Sequence, residues 1–507
     1  MHSEHIVDSR TQGSGTLTET TTLSSTGQQG TNRKVIVLAI AGALGGFLFG
    51  FDSSVINGAV NAVQDEFALS GVLTGFAVAC ALLGAAAGAF FGGRFADRYG
   101  RIPMMIVGGI VFLASSIGSG LAFGVVDLIV WRVVGGLGIG LASVVAPAYI
   151  AEISPRHMRG RLGSLQQLAI TLGIFTALLS DAVFANAAGG ASGTYWLGLE
   201  AWRWMFLAGA VPAIVYGAVA YLLPESPRFL VLKGRESEAR TVFVRLWPTG
   251  DVDRELRDMN ESITNDQRSQ RSGSLRGTAF GLKPVVWVGI ILSVFQQFVG
   301  INVIFYYSTT LWEAVGFEES SSLTISVITS VTNILVTLVA IALVDRIGRR
   351  PILLAGSIGM TVSLATMAVA FSQSETVNGT LSLPDAWAPI ALVAANLFVI
   401  SFGASWGPVV WVLLGEIFPN AIRAKALGLA AAAQWIANFL ITVSFPPMAE
   451  LSLPITYGLY ALFAGLSFWF VLAKIPETNG MSLEQADTLL PPKNSAREAR
   501  KSENIPV

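Results

Sequence analysis

Charge is scarce in this chain. Asp, Glu, Lys and Arg supply only 13% of its 507 residues, where soluble proteins carry about 25%, so an ordinary soluble fold is excluded. The net charge of −1 gives no basic surface for nucleic acid. A lone cysteine, Cys80, rules out internal disulfides, and its setting, AVACALLGAAAGA, is that of a packed helix residue. Histidine is nearly missing: His2 and His5 stand in the N-terminal stretch and His157 in a basic loop. No imidazole is therefore available at membrane depth. Alternating strand patterns are absent, which excludes an outer-membrane barrel. The apolar segments hold no nucleophile with a base and no metal-ligand cluster, so the chain does not read as an enzyme and calls for no cofactor.

What the sequence does have is apolar length. Hydrophobic residues make up 52%, in blocks of about 20, the length a helix needs to cross a hydrocarbon core. Twelve blocks lie near 35–57, 72–93, 103–123, 126–150, 162–184, 204–223, 285–308, 323–344, 351–371, 387–414, 425–446 and 453–473. The expected fold is an all-α integral membrane bundle of 12 transmembrane helices in two six-helix halves. Its parts are a disordered cytoplasmic tail at 1–33, halves at 34–223 and 285–474, a cytoplasmic linker with short helices at 224–284, and a second tail at 475–507. The tail at 1–33, rich in Ser, Thr, Gly and Gln, lacks the apolar core of a cleavable signal peptide.

Thirty of the 32 Lys and Arg fall in the tails or in the loops on one side of the bundle; the other side's loops hold acids alone. Positive charge marks the cytoplasmic face, so both termini are expected there, in a multi-pass protein of the cell membrane with the lipid bilayer as its surroundings.

The halves repeat. GGRFADRYGRIP after span 2 matches ALVDRIGRRP after span 8, setting Asp97 against Asp345 and Arg101 against Arg349. EISPRHMRGR after span 4 matches EIFPNAIRAK after span 10, setting Glu152 against Glu416 and Arg159 against Arg423. PESPR after span 6, with Glu225 and Arg228, matches PETNG after span 12, with Glu477. These acids and arginines form a candidate cytoplasmic gate, pairing while that face is closed and parting when it opens. The plainer alternative is that the arginines only mark the cytoplasmic side.

Polar residues at membrane depth are mostly amides and aromatics. Span 5 carries Gln166 and Gln167; span 7, in FQQFVGINVIFYY, carries Gln296, Gln297, Asn302, Tyr306 and Tyr307. Asn333, Trp406, Trp411, Gln434, Trp435 and Asn438 follow in spans 8, 10 and 11, and Phe49 and Gly407 complete the candidate lining. Carboxamides donate and accept at once, as sugar hydroxyls do, and aromatic faces suit the C–H face of a sugar ring. The C-terminal half holds no deep charge, so a neutral polyol fits this lining better than an ion. The plainer alternative is that the amides bond helices to one another.

Two charges break the pattern. Asp52 interrupts IAGALGGFLFGF in span 1, and Arg132 lies inside span 4. An intramembrane charge is costly and calls for a partner; each is placed about six residues from the outer end of its span, ~9 Å deep at 1.5 Å per residue, so they are paired. GFD at 50–52 aligns with GIN at 300–302, making Asn302 the counterpart of Asp52. Asp52 and Arg132 are thus the candidate proton-coupling pair, with a static ion pair as the alternative. Asp181, near the outer end of span 5, reads as interfacial.

GRFADRYGR, DRIGRRP, PESPR, QQFVGIN and PETNG together resemble the sugar porter family of the major facilitator superfamily over about residues 35–485. Within it the likeness is nearest to bacterial glucose permeases of the actinobacterial type, then to xylose–proton symporters. The resemblance implies hexose contacts at Gln167, Gln296, Gln297, Asn302, Asn333, Trp411 and Gln434, and a proton as coupling ion carried at Asp52. Ile174 departs from it, standing where the xylose symporters have a second glutamine. The function implied is import of a neutral monosaccharide, D-glucose first, by proton symport, for which a monomer suffices. Myo-inositol symport, facilitated diffusion with Asp52 structural, and a sugar sensor remain as alternatives.

Overall fold

The computed structural model describes residues 17–154, 158–246, 252–272, 274–377, 380–384, 386–419 and 422–478. Among these, twelve helices are long and apolar enough to span a membrane. In the first half they are α1 (Leu17–Glu66), α2 (Gly71–Tyr99), α3 (Arg101–Gly120), α4 (Val125–Ile153), α5 (Arg159–Ala188), and a sixth span built from α6 (Ala201–Ala208) and α7 (Ala210–Leu222). Three linker helices follow: α8 (Pro227–Leu232), α9 (Glu236–Leu246) and α10 (Val252–Ser272). The second half begins with a span built from α11 (Pro284–Phe298) and α12 (Ile301–Ala314). It continues with α13 (Glu319–Ile347), α14 (Arg349–Ser372), a span built from α15 (Trp387–Gly403) and α16 (Trp406–Ile417), then α17 (Arg423–Leu451) and α18 (Leu453–Lys474). A short hairpin pairs Glu375–Val377 with Thr380–Ser382.

Two boundaries differ from the sequence reading. The first helix begins at Leu17, within the segment expected to be a disordered tail, although its membrane-length part starts at Arg33. No proline interrupts residues 17–34, and extending a helix already nucleated by the membrane span costs little. At its other end α1 runs to Glu66 instead of stopping near 57. Val55, Ile56, Ala59, Val60, Ala62 and Val63 are all buried, so a helical apolar face continues through the expected turn. Residues 1–16 and 479–507 of the expected tails lie outside the described residues, as do His2, His5 and His157.

The packing repeats as the sequence does. In the first half α1 packs on α5, α2 on α4, α3 on α4, and α3 on α7; in the second α11 packs on α17, α13 on α15, α14 on α15, and α14 on α18. Between the halves α2 meets α17 and α5 meets α13, two contacts that exchange under the repeat. Glycine allows the closest approaches: a Cβ on Gly136 of α4 would stand 2.0 Å from the Ala81 carbonyl of α2, and one on Gly50 of α1 2.0 Å from that of Ile170 on α5. Dispersion grows with such close contact, and in lipid it must replace a hydrophobic drive between helices. Outward, Phe90, Ile110, Val211, Leu335, Val362 and Trp469 are exposed, as a lipid-facing surface requires.

At the end carrying the arginine-rich loops, each half ties its own helix ends. Arg101 pairs with Glu152 through two hydrogen bonds of 2.8 and 2.9 Å and with Asp97 at 3.1 Å, while Glu225 accepts from the backbone N–H of Arg101 and Ile102. Arg349 likewise holds Glu416 at 3.0 and 3.2 Å, and Glu477 accepts from Arg349 and Arg350 N–H. Arg423 donates to the Phe418 carbonyl and Arg228 sits in α8. The side chains of Arg159 and Asp345 lie outside the described residues. These bonds brace helices within one half, where the sequence reading allowed bonds that close the face.

At the opposite, acidic end the halves are clasped together. Asn57 on α1 donates to the Phe305 carbonyl at 2.9 Å and to Ser308 Oγ at 2.7 Å on α12, and its Oδ1 accepts from Thr309 N–H at 3.1 Å and from the Thr309 hydroxyl. One turn on, Asn61 donates to Glu313 at 2.6 Å and accepts from Thr310 at 2.8 Å. Asn57 is 1% exposed, and all four of its hydrogen-bonding positions are used. At about 1 kcal/mol net per bond, losing them raises the population open at this end by at least about tenfold. Asn57→Ala is therefore expected to lengthen the distance between spin labels at positions 65 and 318; an unchanged distance would mean the clasp does not hold this end shut.

Candidate transport site

Span 7 is broken at Gly300, which adopts φ +81° between α11 and α12. A Cβ there would meet the Tyr460 ring at 2.6 Å, so both conformation and space favour glycine. Span 10 breaks between Gly403 and Trp406. Gln296 joins the two breaks: its Nε2 donates to the carbonyls of Trp406 at 2.9 Å and Gly407 at 3.3 Å. Gln297 donates to Gln296 Oε1 at 3.5 Å and accepts from Asn302 Nδ2 at 2.6 Å. Gln296, Gln297, Asn302 and Gly407 therefore form one bonded group at the discontinuities, the place where transporters build binding sites.

Other candidates are brought alongside. Tyr306 of α12 is buried and lines one small cavity with Phe49 and Ser53 of α1, and Asn438 of α17 is buried as well. Phe49 of α1 meets Trp435 of α17 edge-on, with ring centroids 5.5 Å apart. Asn333 is buried on α13 with its Oδ1 close to Gly403. Gln167 and Gln434 are half-buried on α5 and α17, outside the bonded group. Gln434 Oε1 and Gln166 Oε1 are buried acceptors without a partner among the described residues. Trp411 is 43% exposed. Trp406, grouped in the sequence with the candidate indoles, is instead fully buried and donates to the Leu353 carbonyl and Ser357; it holds α16 to α14.

The charged pair forms. Arg132 Nη1 lies 3.3 Å from Asp52 Oδ1 and 3.4 Å from the Asp52 carbonyl, with the two residues 2% and 7% exposed. Nη2 donates to the Val78 carbonyl, and the guanidinium lies over the Phe206 ring at 5.7 Å. Because α1 continues to Glu66, Asp52 stands farther from its helix end than the ~9 Å expected at 1.5 Å per residue. Asp52, Ser53, Arg132, Phe49 and Tyr306 line one cavity of about 10 Å³, room for roughly one water.

Asp181 is enclosed within the bundle. It is 0% exposed, its Oδ2 accepts from Gly58 N–H at 3.2 Å, and its Oδ1 has no partner among the described residues. A carboxamide oxygen accepts from that N–H equally well. Asp181→Asn is thus expected to keep gradient-driven sugar accumulation in proteoliposomes, and its loss would make Asp181 a second proton carrier. Sequence reasoning passed over Ser53, Asn57 and Asn61. The i, i+4 amide pair in NGAVN was the available signal, but the partners of those amides lie about 250 residues away.

A twelve-span helical bundle of two repeated halves, with broken helices meeting at an amide-lined site and one buried ion pair, defines a membrane carrier that works by alternating access. Comparison with known proteins then identifies its kind: the model of the family "Sugar (and other) transporter" matches residues 38–490, and the chain belongs to that family. It is 54% identical over 468 residues to a glucose transport protein of Synechocystis, covering 91% of this chain and 99% of that protein. It is 34% identical over 494 residues to the D-xylose-proton symporter of Escherichia coli, covering 90% and 96%. The inward open structure of the E. coli xylose transporter matches with a TM-score of 0.76 at 32% identity, covering 90% of this chain and all of that one. The chain is a multi-pass membrane transporter and not an enzyme.

Proposed function

We propose that the chain imports D-glucose by proton symport, with both termini and the arginine-rich loops in the cytoplasm. The carrying observation is the buried Asp52–Arg132 pair in a cavity shared with Tyr306. An ionised carboxylate in apolar surroundings depends on such a partner, and a protonated one does not. Proton binding at Asp52 therefore releases Arg132, which keeps the Val78 carbonyl and the Phe206 ring as partners. Opening at the acidic, outer end would load proton and sugar together; opening at the basic end would discharge them.

The amide group at the span 7 and span 10 breaks supplies paired donors and acceptors for a neutral polyol, and the 54% identical relative is named for glucose. Sugar and proton are the only partners the mechanism needs, and one chain is sufficient. Labelled D-glucose uptake into proteoliposomes under an inward proton gradient tests this. Accumulation above the external concentration is expected; simple equilibration would leave a facilitative carrier with Asp52 structural, and no uptake would redirect the search to myo-inositol.

A further inference from the structure

We propose that the turn at residues 276–283 is a lipid anchor: Phe280 enters the leaflet at the arginine-rich end of the bundle, and Arg276 and Lys283 hold the headgroups of anionic phospholipids there. The anchor concerns the chain's grip on its membrane and is independent of the symport reading. Phe280 is 97% exposed, more than any other exposed large apolar side chain among the described residues.

The turn is built to display that ring. Lys283 N–H donates to the Leu275 carbonyl at 2.9 Å and Gly277 N–H to the Gly281 carbonyl at 3.2 Å, closing a tight loop immediately before span 7. At its tip Phe280 and Gly281 have φ of +47° and +81°. Glycine and asparagine fill such left-handed positions readily, and a bulky side chain rarely does. Turn formation alone therefore gives no reason for a phenylalanine at 280. Trp287 of α11 steadies the tip: its Nε1–H donates to the Ala279 carbonyl at 2.8 Å. Its ring meets that of Phe280 edge-on, with centroids 6.3 Å apart.

The display is toward lipid. Pro284, Trp287 and Ile291 stand at i, i+3 and i+7 on α11 and are exposed or half-buried, while Val285, Val288 and Leu292 turn into the bundle. Phe280 extends that outward stripe beyond the end of the span. Charge names the kind of lipid. No Asp or Glu occurs between Asp266 and Glu313, whereas Arg268, Arg271, Arg276 and Lys283 all fall there. Arg276 is exposed and Lys283 half-buried, and neither side chain forms an ion pair among the described residues. Aromatic rings at headgroup depth with cations beside them are the chemistry by which a segment holds an anionic leaflet. A soluble acidic partner would satisfy the cations, but it would not cover a ring on the lipid-facing stripe.

The test places a nitroxide on Phe280→Cys in the full chain; Cys80 is buried, which leaves the label to position 280. Because Phe280 is almost wholly exposed, its replacement leaves the packing of the bundle intact. In vesicles of equal parts phosphatidylglycerol and phosphatidylcholine, power saturation is expected to put the label about 5–10 Å into the interface. Adding Arg276→Gln or Lys283→Gln is expected to lower the ratio of inserted to aqueous label about fivefold in those vesicles. Neither substitution touches the backbone bonds that close the turn. In phosphatidylcholine alone the ratio is expected to be low already and unchanged by either substitution. A label that remains aqueous in both vesicles refutes the anchor. Equal insertion in both vesicles, unaffected by the two substitutions, refutes the anionic phospholipid as its partner. Sugar and proton gradient are absent throughout, so neither result bears on symport.

Discussion

Asp52→Asn is expected to reduce gradient-driven accumulation of D-glucose to simple equilibration. At a stoichiometry of one proton per sugar, each pH unit of gradient sustains up to about tenfold accumulation, so the loss at two units is up to about a hundredfold. The reason lies in the pair's geometry. Arg132 reaches Asp52 with one nitrogen at 3.3 Å, and a carboxamide offers an oxygen in the same place but no proton to carry. Arg132 retains the Val78 carbonyl and the Phe206 ring, so the helix pair survives and sugar still crosses downhill. Arg132→Ala differs, because the buried carboxyl loses the partner that stabilises its ionised form and is held protonated, so it cannot release the proton inside; lost accumulation is expected. Uptake measured with and without the gradient separates these outcomes. An Asp52→Asn chain that still concentrates glucose would place the coupling carboxylate elsewhere.

Gln297→Ala is expected to weaken D-glucose binding by about fivefold to 150-fold, since a buried partner left unsatisfied costs about 1–3 kcal/mol. Gln297 stands between Gln296 and Asn302, immediately before the break at Gly300. Its removal deprives Asn302 of its acceptor and takes a donor and an acceptor from the site at once. Gln296 remains anchored on the carbonyls of Trp406 and Gly407, so the two broken spans stay joined and the variant folds. Quenching of tryptophan fluorescence by titrated sugar gives the affinity. An unchanged affinity would show that the span 7 amides serve helix packing alone.

Much of this was legible in the sequence because lipid imposes a simple rule. Backbone groups inside a membrane must be satisfied within the segment, so each apolar block of about 20 residues had to be a helix. The matched loop motifs gave the repeat, and the packing of α1 on α5 and of α11 on α17 follows the same plan. The rarity of charge at depth made Asp52 and Arg132 stand out, and they do meet.

Other features were not legible, since they depend on contacts between distant segments. Nothing local tells that Asn57 and Asn61 clasp α12, that Trp406 turns toward α14, or that Asp181 is enclosed against Gly58. The first helix runs past the boundary expected near residue 57, because α12 supplies every bond that the amides Asn57 and Asn61 need there.

By itself, then, the sequence determined the membrane-spanning helical class, the two-half plan, the family and the unusual charges, all of which follow from composition, spacing and motif. The tertiary structure alone decided which polar groups bind one another across the halves. A hydrogen bond is directional and short-ranged, and whether a buried amide lines the sugar site, clasps a gate or ties one helix to its neighbour depends on which helix packing sets against it.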